Sequence, residues 1–218
     1  MSLADQGWLN VSSGLGEDIL EKLRSGIFQQ GRAGTRCLLD HPLVLETAIL
    51  VRDHLFKLGL LEKESVAIQA IAFDKTPQTN WKVAWHQDLM FPFAQKASAP
   101  GYTLACEKDG TPFARPPAAV LADLIAVRLS LDPCGLENGP LRVSPTTHKQ
   151  GIIPAGLIMD HVARCGDINC TNQVGDLLLM RPLLLHASSQ ATSPDHRRVL
   201  HLVYHNGTQV AEAWYRAV

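Results

Sequence analysis

The chain changes texture at Ser65, and that change limits its folds more than any other feature. Beyond it lie short β-like runs, Val66–Phe73, Lys82–Asp88, Leu124–Leu131, Leu141–Ser144, Asp176–Met180, Leu183–Ser188 and Arg198–His205, separated by Pro, Gly and Asn. Many short strands with turn residues between them predict a sandwich or barrel. Before Ser65 the apolar spacing is helical. Ile19, Leu20, Leu23 and Ile27 recur within Glu17–Gln30, and Leu45, Ile49, Leu55 and Phe56 recur within Pro42–Leu58. Pro42 suits the first turn of a helix. The expectation is a mainly β protein with flanking α-helices: one domain over 1–218, with a helical N-terminal cover over about 1–62 and a β core over about 63–210. The segment Gln95–Ala119, rich in Pro, Ala and Gly, reads as part of a long loop near 91–119.

Bulk properties exclude several classes of function. A net charge of −1 lacks the basic stripe that phosphate contacts demand, so no nucleic-acid partner is expected. The apolar runs are too short to span a bilayer, and Met1 to Asn10 lacks the pattern of a signal peptide, so the expectation is a cytoplasmic protein with a small-molecule substrate. Five scattered cysteines without a CxxC pair read as free thiols.

Chemistry concentrates in a few side chains. In His86-Gln87-Asp88, alternation along a strand turns His86 and Asp88 to one face, within reach of a single ion. About a hundred residues later, His186 ends an apolar run, with Leu184 and Ser188 on its face. Two imidazoles and a carboxylate form a facial triad, which leaves half of an octahedral ferrous site open. A 2-oxo acid that chelates such an ion carries a second carboxylate, and an arginine grips that group with two parallel hydrogen bonds. Arg197, eleven residues after His186, is the candidate; alternation turns Arg198 away and sets Val199, His201 and Val203 beside Arg197.

These residues resemble the phytanoyl-CoA dioxygenase family of Fe(II)/2-oxoglutarate oxygenases from about Ala70 to Tyr204. Trp85-His86-Gln87-Asp88-Leu89 is similar to the proximal metal motif. Leu131-Asp132, Glu137-Asn138-Gly139-Pro140-Leu141-Arg142-Val143, Pro145 and His148 are similar to the central segment, and Gly175-Asp176-Leu177-Leu178 and then His186, Ser188 and Arg197 to the distal one. The resemblance implies a double-stranded β-helix, a cupin-like jelly-roll barrel. It implies Fe(II) held by His86, Asp88 and His186, and 2-oxoglutarate held at its distal carboxylate by Arg197 and Ser188. It also implies O2 as oxidant, ascorbate in support, and hydroxylation with release of succinate and CO2. Asp88 favours hydroxylation over halogenation, since related halogenases carry a small residue there. One departure stands out: Arg128 occupies a position where many relatives carry Trp, and it is a further candidate for the co-substrate or for an acidic substrate. Lys75, Asn80 and Trp81 are candidates for the site wall by position, while His148 reads as structural and His201 as a supporting residue. Two other readings compete: a non-catalytic jelly-roll module that binds or senses while retaining metal and 2-oxoglutarate, and a cupin-like barrel using another metal for hydrolysis or isomerisation.

Overall fold

The computed structural model describes residues 2–29, 31–207 and 209–218. In chain order its strands are β1 (Trp8–Ser12), β2 (Gly34–Thr35), β3 (Val66–Lys75), β4 (Val83–His86), β5 (Phe91–Pro92), β6 (Thr103–Lys108), β7 (Thr111–Arg115), β8 (Leu124–Ser130), β9 (Leu141–Val143), β10 (Ile168–Cys170), β11 (Asp176–Met180), β12 (His186–Ser188) and β13 (Arg197–His205). All pair antiparallel, in a major sheet ordered β1-β11-β8-β13-β3-β2, a minor sheet ordered β10-β9-β12-β4, and a small sheet ordered β5-β7-β6.

Period-two alternation explains how the layers stack. On β8, Ile125, Val127 and Leu129 join Leu200, Leu202 and Tyr204 of β13 on the outer face of the major sheet. There they bury Leu20 and Leu23 of the helix Glu17–Gly26 and Val44, Ala48, Val51 and Leu55 of the helix Pro42–Lys57. The Tyr204 hydroxyl donates to the Ala48 carbonyl at 2.8 Å and fixes the second helix on the sheet. The opposite residues of the same strands, Leu124, Ala126 and Val203, pack with Leu141, Val143 and Cys170 of the minor sheet. Because both faces of β8 and β11 are covered, these strands read as nearly unbroken apolar runs. The architecture is that expected: mainly β, with helices packed outside two facing sheets of jelly-roll type. No helix among the described residues is long and apolar enough to cross a membrane.

Several elements differ from expectation. The helix expected over Glu17–Gln30 stops at Gly26, whose missing side chain makes it a poor helix former; the predicted end, Gln30, lies outside the described residues. The N-terminal segment is not wholly helical, because β1 pairs with β11 at the edge of the major sheet. The segment near 91–119 is not a structureless loop: β6 and β7 form a hairpin around Asp109-Gly110, both with positive φ. Phe91 and Phe93 bury themselves in the inner core, Phe113 is buried as well, and Phe93 stacks on Trp214 at 4.8 Å. A mostly exposed β6, without apolar alternation, hid this hairpin from pattern reading.

Candidate active site

His86 closes β4 and His186 opens β12, and the register places them directly opposite one another. Each ring is set by its own backbone: His86 Nδ1 lies 2.8 Å from the Ala84 carbonyl, and His186 Nδ1 lies 3.0 Å from that of Leu184. Only a protonated Nδ1 donates to a carbonyl, so both Nε2 lone pairs are left to face the space between the strands. Asp88 faces the same space, with Oδ1 3.7 Å from His86 Nε2 and Oδ2 3.6 Å from His186 Nε2. The three ligand atoms all lie within 4.8 Å of one another. Ligands bound about 2.1 Å from one ion at right angles sit roughly 3.0 Å apart, so a small inward movement closes this set on a metal.

The route to this geometry is not simple alternation. Asp88 lies just past the end of β4, and its backbone N–H donates to the Pro182 carbonyl at 2.9 Å. Gln87, a mere spacer in the sequence, is buried and does the fastening. Its amide nitrogen donates to the carbonyls of Gly151 (2.8 Å) and Leu183 (2.6 Å), while its oxygen accepts from the Ile153 N–H (2.8 Å). The predicted strand over Leu183–Ser188 is also shorter, since Leu184 N–H donates back to the Arg181 carbonyl in a turn and the ladder begins at His186.

The electrostatics of the three groups suits them to holding a cation. Burial alone would raise the Asp88 pKa, but attraction to the neighbouring His186, His201, His86 and Arg128, whose protonated forms favour the carboxylate, outweighs it and holds the carboxyl below its ordinary range. Burial, set against the attraction of Asp88, brings His186 down to about 4, so its imidazole is neutral at physiological pH and ready to ligate.

Around these groups lies a cavity of about 230 Å³, lined in part by Gln69, Phe73, Trp81, Arg128, Arg197 and His201. Arg197 is buried at the start of β13, where its guanidinium donates to the Gly139 carbonyl and approaches Ser188 Oγ at 3.4 and 3.5 Å. Its Nε is buried without a partner among the described residues. Ser188 donates to the same Gly139 carbonyl at 3.2 Å. Gly139 has φ +62°, and a Cβ there would meet the Ser189 carbonyl oxygen at 2.6 Å, which accounts for the glycine in this motif. Arg198, as alternation required, points away and holds Asp132 through two bonds of 2.8 and 2.9 Å.

Lys75 is the residue whose weight the sequence hid. It pairs directly with Arg197 across β3 and β13, is fully buried, and donates to Ser188 Oγ (3.1 Å) and the Ser189 carbonyl (2.6 Å). Burial, reinforced by Arg197, brings its pKa down to about 8. Its only signal in the sequence was position, shared with two neighbours of different fate. Trp81 lines the cavity, whereas Asn80 clasps the backbone of Ala191. His148 bonds the Ala4 carbonyl at 3.1 Å, away from the cavity lining. No residue of 91–119 lines the cavity either, and Phe91 and Phe93 pack the inner core instead.

The model of the phytanoyl-CoA dioxygenase family matches residues 6–199. No curated protein matches the chain by sequence. Among solved structures, AviO1 from Streptomyces viridochromogenes Tue57 is 16% identical with a TM-score of 0.64, over 96% of this chain and 94% of that one. EctD from S. alaskensis with bound Fe is 16% identical with a TM-score of 0.69, over 97% and 77%. HygX from Streptomyces hygroscopicus with iron bound is 12% identical with a TM-score of 0.64, over 99% and 94%. Likeness at these identities is a likeness of fold, and it agrees with the family match across nearly nine-tenths of the sequence. On that match the chain belongs to the phytanoyl-CoA dioxygenase family, and thereby to the non-haem iron, 2-oxoglutarate-dependent oxygenases.

Proposed function

We propose that this protein hydroxylates a small molecule, holding Fe(II) through His86, Asp88 and His186 and gripping 2-oxoglutarate through Arg197, Ser188 and Lys75. The observation that carries the reading is the pairing of two features in one cavity. Three ligand atoms face one another in it, and the buried guanidinium of Arg197 lines the same space, with Lys75 paired to Arg197 across β3 and β13. A hydrolytic or isomerising metal site has no use for the second feature. A dicarboxylate with one end on the metal uses both.

The bound iron and co-substrate supply oxygen activation coupled to decarboxylation, which yields succinate, CO2 and a hydroxylated product. The chain's residues do the positioning. The Nδ1–carbonyl bonds of both histidines fix the ring planes, and Gln87 locks the segment that carries Asp88. Gly139 holds Arg197 and Ser188 in place for the distal carboxylate, and the Arg197 Nε–H is a buried donor for an incoming acceptor. The neutral imidazoles and one carboxylate leave the metal a net positive charge, which attracts a 2-oxo acid. Support also comes from fold relatives: HygX is solved with nickel and 2-oxoglutarate bound, and EctD with 2-oxoglutarate and 5-hydroxyectoine. Succinate formation from 2-oxoglutarate, with Fe(II) and ascorbate and a panel of candidate substrates, tests the proposal. Stimulated turnover that His186→Ala abolishes is the expected result. Metal and 2-oxoglutarate binding without turnover of any substrate would instead identify a binding module.

A further inference from the structure

Arg128 stands directly opposite His201 across β8 and β13, with its side chain turned into the cavity. Its contacts are weak for a guanidinium. Nη1 lies 3.4 Å from His201 Nδ1, and the guanidinium carbon lies 5.6 Å from the Phe73 ring centre. Among the described residues no carboxylate forms an ion pair with it. Burial, followed by repulsion from Arg197, lowers its pKa to about 10, which leaves it charged at neutral pH.

Arg128 leaves the charges of the cavity unbalanced. On the oxygenase reading, Fe(II) contributes two positive charges and Arg197 one, while Asp88 contributes one negative charge and 2-oxoglutarate two. Those four cancel. Among the described residues Asp88 is the only carboxylate in the cavity lining, so Arg128 adds a positive charge that neither protein nor co-substrate neutralises; protonated Lys75, buried against Ser188 outside that lining, adds another nearby. An unpaired buried cation is costly unless a ligand brings its counter-charge. Arg128 also lies four residues along β13 from the register position of Arg197, and close enough to the metal end to help stabilise the Asp88 carboxylate. The distal end of the co-substrate already has Arg197, Lys75 and Ser188.

Resting on the oxygenase reading, we infer that the primary substrate is a small oxyanion, a carboxylate or phosphate ester, gripped by Arg128 beside the metal. The planar guanidinium suits two parallel hydrogen bonds to such a group.

The test uses the whole protein loaded anaerobically with Mn(II) and saturating 2-oxoglutarate. Paramagnetic relaxation of the ¹³C signal of acetate and the ³¹P signal of inorganic phosphate then reports an anion held near the metal, with neutral acetamide as the isosteric control. The expected result is saturable enhancement for one or both anions and none for acetamide. It should be only partly weakened in Arg128→Lys, which keeps the charge but not the two parallel hydrogen bonds, and weakened by about tenfold or more in Arg128→Met and Arg128→Gln, with 2-oxoglutarate affinity within about threefold of wild type. Enhancement unchanged in Arg128→Met and Arg128→Gln would put the anion on the metal itself and overturn the inference. So would the lack of saturable binding to wild type, or a loss of 2-oxoglutarate affinity in both neutral variants of about tenfold or more, which would assign Arg128 to the co-substrate. A wild type that takes up neither Mn(II) nor 2-oxoglutarate would bring down the oxygenase reading, and the inference with it, before any anion is added.

Discussion

His86 and His186 face each other across adjacent antiparallel strands, with ring centres 4.2 Å apart and Asp88 within 3.7 Å of both Nε2 atoms. Two imidazoles and a carboxylate at this spacing could hold one metal ion, and on the proposed function they do. Replacing any one of the three by alanine should therefore cut Mn(II) or Fe(II) affinity by at least about a hundredfold and abolish turnover. Thermal unfolding should change little in the Asp88 and His86 variants, whose side chains are only partly buried, and more in His186→Ala, whose imidazole is buried. Titration by electron paramagnetic resonance, alongside calorimetry, checks both halves.

Arg197 and Arg198 are adjacent, yet they have different tasks. Arg197→Ala should lose about 2–4 kcal/mol of 2-oxoglutarate binding, roughly thirtyfold to a thousandfold, while metal affinity holds. Arg198→Ala breaks the pair with Asp132 and should cost about 1 kcal/mol of stability, with co-substrate affinity within about twofold of wild type. Isothermal titration with 2-oxoglutarate in the presence of Mn(II) separates the two.

Lys75 gives the co-substrate affinity a pH signature. Below about pH 8 the ammonium is charged before 2-oxoglutarate arrives, and affinity should not depend on its titration. Above that value each binding event must take up a proton, so log affinity should fall by about one per pH unit. Lys75→Met should bind about tenfold or more weakly at pH 7 and lose the decline above pH 8. Calorimetry across pH 6.5 to about 9.5 tests both points.

Gly139 links backbone conformation to ligand binding. Gly139→Ala places a Cβ against the Ser189 carbonyl and the Ala191 N–H at a left-handed backbone position. Stability should fall by about 2 kcal/mol or more, and the surviving folded protein should bind 2-oxoglutarate less tightly because Arg197 and Ser188 lose their shared acceptor. Chemical denaturation and co-substrate titration measure the two effects independently.

What the sequence disclosed depended on how local each signal was. The outer and inner faces of β8 and β13 follow from alternation alone, and that alternation turned Arg197 inward and Arg198 outward. Of the candidate metal ligands, His186 stood out because a histidine at the end of an apolar run has no packing reason to be there, and it gave weight to the His86-Gln87-Asp88 triplet. Gln87 and Lys75 stayed hidden, because their importance comes from partners far away in the chain: Gly151, Ile153 and Leu183 for one, Ser188 and Arg197 for the other. The β6–β7 hairpin was missed for the opposite reason. Its exposed strand carries no burial pattern, and its pairing is held by backbone bonds that leave no trace in side-chain character.

The claim on which the account rests is that one ferrous ion unites His86, Asp88 and His186 while 2-oxoglutarate reaches from that ion to Arg197. An anaerobic crystal structure with Fe(II) and 2-oxoglutarate, with iron located by its anomalous signal, measures this directly. The account predicts a single iron peak bonded to both Nε2 atoms and an Asp88 oxygen, with the distal carboxylate against Arg197 and Ser188. Iron bound elsewhere, or the co-substrate with its distal carboxylate turned away from Arg197, would contradict it.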